Sequence, residues 1–198
     1  MAPAAVVTPF VLTDPGYLFI APLASAAPTN TVAASKFTDA WPAAWLPLGA
    51  TEEGSTFNYS STVEPIMVAE FFDPISYHTT ERAGNIAFNL ADFTLTNYRR
   101  ALNGGTAALA ATSGATADVY LGTLEPPDPG SEVRAMIGWE SLDNTLRLVC
   151  RQTMQGGEVS SAFKRAPDKA VIPCTFNLEV PSSAKPWVMW SAGADRLS

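Results

Sequence analysis

The sequence predicts a mainly β protein, a sandwich or barrel with a short flanking α-helix and long loops or an N-terminal arm. Three observations carry that prediction. Residues 55 to 64 alternate with period two: Phe57, Tyr59 and Val63 on one side, Thr56, Asn58, Ser60, Thr62 and Glu64 on the other. One short stretch, ADFTLTNYRRALNGG, shows clear helical spacing. The last third breaks into short apolar runs separated by turn signals, the pattern of a sandwich or barrel.

The elements follow in order. TPFVLTDPGYLFIAPL holds two apolar runs, 9 to 12 and 17 to 23, which read as strands around the turn Asp14-Pro15-Gly16. ASAAPTNTVAASKFTDAWPAAW reads as an extended arm or loop. Large aromatics in a Pro-broken loop rarely stay in water, so Trp41 and Trp45 are expected either to pack on their own domain or to contact another subunit. The alternating strand at 55 to 64 then meets Pro65, which suits an edge position or a bulge. Beyond it the phase is less clear, with Ile66, Met67, Val68, Phe71 and Phe72 available to pack. Asp73-Pro74 and Ala83-Gly84-Asn85 read as turns around YHTTER.

The helix is predicted to start at a cap, Asp92 or Thr94, and to pack Leu95, Tyr98 and Leu102 against a sheet. Arg99 and Arg100 complement the dipole in its last turn, and Asn103-Gly104 closes it. The Ala-rich run 106 to 112 reads as a helical turn or an undefined segment, with a loop after 121. Two strands follow around Asp143-Asn144, the second alternating Leu146, Leu148 and Cys150 against Arg147, Val149 and Arg151. Lys164, Arg165 and Lys169 form an exposed basic patch. A strand with Cys174, Phe176, Leu178 and Val180 on one face comes next, and WVMWSA is the last strand.

The bulk numbers narrow the function. Of 198 residues, 47 % are hydrophobic and 16 % charged, below the usual charged share of about 25 %. Net charge is −7, and its distribution is uneven. Residues 1 to 81 hold one basic residue, Lys36, against eight acidic ones; the remainder holds eleven of each sign. Such a chain lacks the cationic surface that drives tight nucleic-acid binding. MAPAAVVTPF has no basic residues before its apolar part and does not read as a secretory leader. GYLFIAPLASAA is broken by Pro22 and too short to span a bilayer, so no membrane association is expected. Cys150 and Cys174 fit two buried thiols in a reducing compartment or one disulfide.

Catalytic patterns are missing. One histidine, His78, and two cysteines fall short of a metal cluster. There is no GxSxG elbow, P-loop or dinucleotide glycine motif. No catalytic, metal-binding or cofactor-binding residue is assigned, no cofactor is expected, and a non-enzyme is predicted.

Several stretches together resemble the major tail tube proteins of long-tailed, non-contractile bacteriophages. The likeness begins at WLPLGATEEGSTFNYSSTVEPIMVAEFFDPI, with its Leu-Gly-x-Thr-x-x-Gly turn feeding a long strand and its acidic residue ahead of Asp-Pro-Ile. It continues through AGNIAFNLADFTLTNYRRALNG and from GWESLDN to FKRAPDKAVIPCTFNLEVPSSAKPW, covering roughly residues 41 to 190. The order of these loose motifs is the stronger signal. The resemblance implies a β-sandwich with a flanking helix, assembled as homohexameric rings stacked into a DNA-conducting tube. Residues 1–47 would be an N-terminal arm with the first strands and 48–198 the tail-tube domain, in one structural unit; no C-terminal immunoglobulin-like domain is expected.

Four strands from each of six subunits, spaced about 4.8 Å and tilted about 40°, give a backbone diameter of roughly 48 Å and a bore of roughly 35 Å. Thr56, Asn58, Ser60, Thr62 and Glu64 would line that bore, where hydroxyls, amides and scattered carboxylates let polyanionic DNA slide. Trp41, Trp45, Glu52, Glu53, Asp73, Lys164, Arg165 and Lys169 are the candidates for contacts between subunits or rings. The implied partners are further copies of the chain, tail tip or initiator and tail terminator proteins, a tape measure protein in the lumen during assembly, and double-stranded DNA in passage. The implied location is the virion tail, assembled in the host bacterial cytoplasm. The alternatives are a tail terminator or head–tail connector ring, and a cytoplasmic β-sandwich binding module or an enzyme using His78.

Overall fold

Residues 15–111, 120–163, 165 and 168–192 are described in a computed structural model of the chain. Among them the strands are β1 (Tyr17–Pro22), β2 (Val32–Ala33), β3 (Lys36–Phe37), β4 (Leu46–Pro47), β5 (Thr51–Ile66) and β6 (Ser76–Leu90). Helix α1 (Leu95–Ala101) follows, then β7 (Thr106–Ala111), β8 (Tyr120–Glu125), β9 (Ala135–Glu140), β10 (Leu146–Gln155), β11 (Ile172–Leu178) and β12 (Trp187–Ser191). The fold is mainly β with one short helix, as the sequence predicts. The expected strand at 9 to 12 lies outside the described residues.

Eight strands form one antiparallel sheet in the order β4-β1-β9-β10-β11-β6-β5, with β12 also on β10. β10 shares one edge between two partners: Leu146 to Cys150 pair with β12, Thr153 to Gln155 with β11. The change of partner coincides with a register shift between Cys150 and Thr153 in the ladder to β9, where a bulge adds local twist. Phe57 of β5 and Trp187 of β12 are not on neighbouring strands, yet their rings meet edge to face at 5.4 Å. The sheet therefore curls, and the main core fills its concave side: Leu18, Ile20, Ile86, Phe88, Ile137, Leu148, Phe176 and their neighbours.

The opposite face is also covered. Ala21, Met136 and Val149 pack there with Trp45, flanked by Phe19, Trp41, Val188 and Trp190. The cover is the segment from 26 to 45, which lies on its own sheet instead of reaching away as a free arm. Trp45 donates from Nε1 to the Ala26 carbonyl at 2.8 Å, and Trp41 stacks on Phe19. Gly138 makes this possible: a Cβ there would sit 2.5 Å from the Trp41 ring.

Arg147 and Val149, set against Leu146, Leu148 and Cys150 in the alternation, are buried as well, because both faces of β10 are covered. Three local expectations are corrected. Ala83-Gly84-Asn85 is no turn; it runs inside β6, paired with Ser60, Tyr59 and Asn58. Residues 106 to 111 are strand β7, paired with β8. Val180 lies beyond the end of β11 and is 77 % exposed.

The helix is capped as expected, with Thr94 Oγ1 accepting from Asn97 N at 3.2 Å. Its buried face is different. Asn97 and Ala101 point inward, Tyr98 is half-buried against the core, and Leu95 is exposed. Leu102, half-buried, is the C-cap. Asn97 takes the inner position because its amide donates to the carbonyls of Leu48 and Asp92, both at 3.1 Å.

Candidate functional site

β5 and β6 form a long antiparallel ribbon at one edge of the sheet, and only its proximal half has a body beneath it. Phe57 is half-buried, and the Tyr59 ring lies 5.5 Å from that of Trp187. Gly84 faces Tyr59, where a Cβ would come within 2.9 Å of the ring, so glycine gives the aromatic room. Past this pair the ribbon is exposed on both faces: Ser60 to Ile66 on β5 and Ser76 to Ala83 on β6. Val63, expected to pack with Phe57 and Tyr59, is 53 % exposed, as no element lies under it among the described residues.

The five residues read as a polar face are all exposed. Register extends that face sideways, since directly paired residues share a side. Asn58 sits opposite Asn85 and donates from Nδ2 to Oδ1 at 3.0 Å. Asn85 pairs in turn with Asn177, and Ala87 with Thr175, both on β11. Asn177 pairs with Met154 on β10. Four strands thus share a hydroxyl- and amide-rich surface turned away from the main core. On the β5–β6 part of this face charge appears toward the distal end, where Thr62 pairs with Glu81 and Glu64 with His78. A register shift between Thr62 and Val63 twists the ribbon there, beside Pro65 on the free edge.

The tip is an ordered turn. Ile75 N donates to Ile66 O at 3.0 Å and Phe71 N to Val68 O at 3.3 Å. It displays Met67, Phe71, Phe72 and Ile75 to water, Phe72 wholly so. Phe71 and Phe72, read as packing residues, are instead surface groups flanked by exposed Glu70 and Asp73. The signal was present in AEFFDP: paired aromatics between acids and next to a proline turn are poor core material.

The other contact candidates fall into three groups. Trp41 and Trp45 are engaged within their own chain, Trp45 buried and Trp41 half-buried on Phe19. Glu52 lies 3.9 Å from Lys169 in the same chain, both partly exposed, a pairing of little energetic weight. Glu53, Asp73 and Arg165 are exposed, and Lys164 lies outside the described residues.

A second feature sits at the opposite end of the sheet order. A cleft of about 370 Å³ opens between α1 and the β4–β1–β9 side, with Ile20, Leu46, Val133 and Phe176 among its walls. Arg99, Arg100 and Arg134 line it. Arg99 Nε donates to Gly105 O at 2.8 Å, Arg100 Nη1 to Asn97 Oδ1 at 2.8 Å, and Arg134 Nε pairs with Glu179 at 2.7 Å. Burial lowers the Arg100 pKa, opposed by the Asp92 carboxylate. The Glu179 carboxyl is held below its ordinary range by hydrogen bonds from Gln152 and Arg134. Sequence reasoning assigned Arg99 and Arg100 to the helix dipole alone and missed this cleft, because its walls come from distant segments.

Cys150 and Cys174 are free, buried thiols, each pushed up to about 12 by burial. Such thiols are inert as nucleophiles at neutral pH. Among the described residues no group of three His, Cys, Asp or Glu side chains is placed to hold a metal. No protein-family model matches the chain, and no curated protein matches it in sequence.

Proposed function

We propose that this chain is the structural subunit of a phage tail tube: copies close into homohexameric rings, the rings stack, and the lumen conducts double-stranded DNA. The supporting observation is the β5–β6 ribbon. An isolated two-stranded ribbon is marginal in water, yet this one extends past its body with Val63, Ile66 and the tip apolar groups exposed. A free edge strand of this length is an aggregation hazard unless another chain covers it. Further copies of the same chain meet that need in a closed ring.

The polar face supports the conduit. In this reading β5, β6, β11 and the end of β10 are the four strands each subunit adds to a barrel, and the main core with α1 is the tail-tube sandwich behind them. Thr56, Asn58, Ser60, Asn85, Thr175 and Asn177 then face the bore, with Glu64 and Glu81 as rings of like charge. DNA carries one negative charge per roughly 1.7 Å, so such a lining neither grips nor neutralises it.

Electron microscopy of the concentrated, purified protein tests this. Hollow tubes of stacked rings are expected. Single unstacked rings would reassign the chain to a tail terminator or head–tail connector, and persistent single copies would remove the reading.

A further inference from the structure

The tip of the ribbon and the cleft beside α1 are complementary in polarity and charge, and they sit at opposite ends of the sheet order. The tip is an ordered turn that presents Phe71 and Phe72 between two carboxylates, Glu70 and Asp73. No basic residue occurs between Lys36 and Arg82, so the whole projecting strand and its turn are acidic or neutral. The cleft is walled by aliphatic side chains with Phe176 among them, and it carries three guanidiniums. No acidic side chain lines it among the described residues; of the nearby acids, Glu179 pairs with Arg134 and Asp92 accepts from the Asn97 amide. Arg99 uses Nε on Gly105 O, and among the described residues its Nη groups have no protein partner.

We propose that the β5–β6 tip of one copy seats Phe72 in the α1 cleft of a second copy, with Glu70 and Asp73 meeting Arg99 and Arg100. The proposal rests on the self-assembly reading above and names its contact. Volume permits it: a cavity of about 150 Å³ holds a benzene ring, and the cleft offers about 370 Å³. The chain does not satisfy its own cleft, since Phe72 is 100 % exposed. Tip and cleft are different surfaces, so the contact is heterologous; it propagates head to tail and closes into a ring or extends as a filament. A carboxylate brought to a guanidinium at the rim of an apolar site gains a charge-assisted, orienting hydrogen bond. A second cleft, lined by Tyr59, Arg82, Leu178 and Lys185, lies at the base of the ribbon and is more polar, a poorer match for paired phenyl rings.

Paired cysteines test the contact. The chain bearing both Phe71→Cys, beside the seated ring, and Thr96→Cys on the cleft wall is assembled and then oxidised. The buried native thiols stay silent, so bridges report the new pair. A ladder of multiples beyond the dimer is expected on a non-reducing gel, with each single variant stopping at the dimer. Phe72→Ser, checked for native circular dichroism, is expected to raise the concentration needed for assembly at least about tenfold, the loss of one well-seated aromatic. Assembled material that gives no ladder, or Phe72→Ser that assembles like the parent chain, overturns the docking and leaves self-assembly standing. A parent chain that never assembles removes the self-assembly reading itself.

Discussion

Arg147 and Glu140 pair at 2.8 Å beneath the segment from 26 to 45, with the arginine 2 % exposed. The guanidinium also donates to the carbonyls of Thr29 and Asp39 and lies over the rings of Phe37 and Trp41. Glu140 receives a further bond from Trp41 Nε1. The buried pair thereby satisfies three loop groups and fastens the cover to the sheet. Removing one partner strands the other charge in a site closed to water. Arg147→Ala is expected to destabilise the fold by about 3–5 kcal/mol, the usual cost of breaking a buried pair from one side. Urea unfolding reads it, and a loss below about 1 kcal/mol would show the site open to water.

Gly138 carries the same cover from the sheet side. Gly138→Ala drives a methyl into the rings of Trp41 and Trp45, 2.5 Å and 2.9 Å from its ideal position. Overpacking of this kind costs typically about 1–3 kcal/mol. The thermal midpoint should fall, and adding Trp41→Leu should recover part of the loss; no recovery would place the strain elsewhere.

The two thiols predict an alkaline limit. Each rises from 9.0 to about 12 on folding because burial disfavours the thiolate. The folded pKa lies above the unfolded one, so the native state holds its protons longer. This stabilisation is full below pH 9 and is lost as pH climbs toward 12. Stability measured across that window should decline less steeply in the Cys150→Ala, Cys174→Ala double variant. Equal slopes would mean that the thiols ionise without unfolding.

Shortening the ribbon separates folding from assembly. Joining Tyr59 to Gly84 through a two-residue Asn-Gly hairpin turn removes the exposed half and leaves the Phe57–Trp187 contact in place. The product is expected to unfold at the parent midpoint and to remain a single copy in analytical ultracentrifugation. Higher oligomers at parent levels would place the assembly surface outside the ribbon.

Charge on the polar face is expected to act on transit and not on assembly. In the proposed tube, Glu64→Gln with Glu81→Gln should leave assembly intact in micrographs and slow genome release, because it removes the carboxylates that would ring the bore and repel DNA. Release at the parent rate would discard the role given to those acids.

The ribbon, the helix cap and the 143–144 hairpin were legible in the sequence because each is set by neighbours a few residues apart. Side-chain alternation along 55 to 64 marked a two-faced strand, and Thr94 three residues before Asn97 marked a helix start. The acidic bias before residue 82 was equally visible. What lies on each face was decided only by the tertiary structure. Arg147 stands opposite Leu146 and Leu148 in the alternation, and only a segment over a hundred positions away buries it; Phe72 is available to pack until the ribbon carries it past the body. Leu95 was placed inward by spacing, but Asn97 won the inner face by bonding the Leu48 carbonyl. Local sequence sets period and turn; burial is settled by which distant segments meet, and that depends on packing and polar satisfaction over the whole sheet.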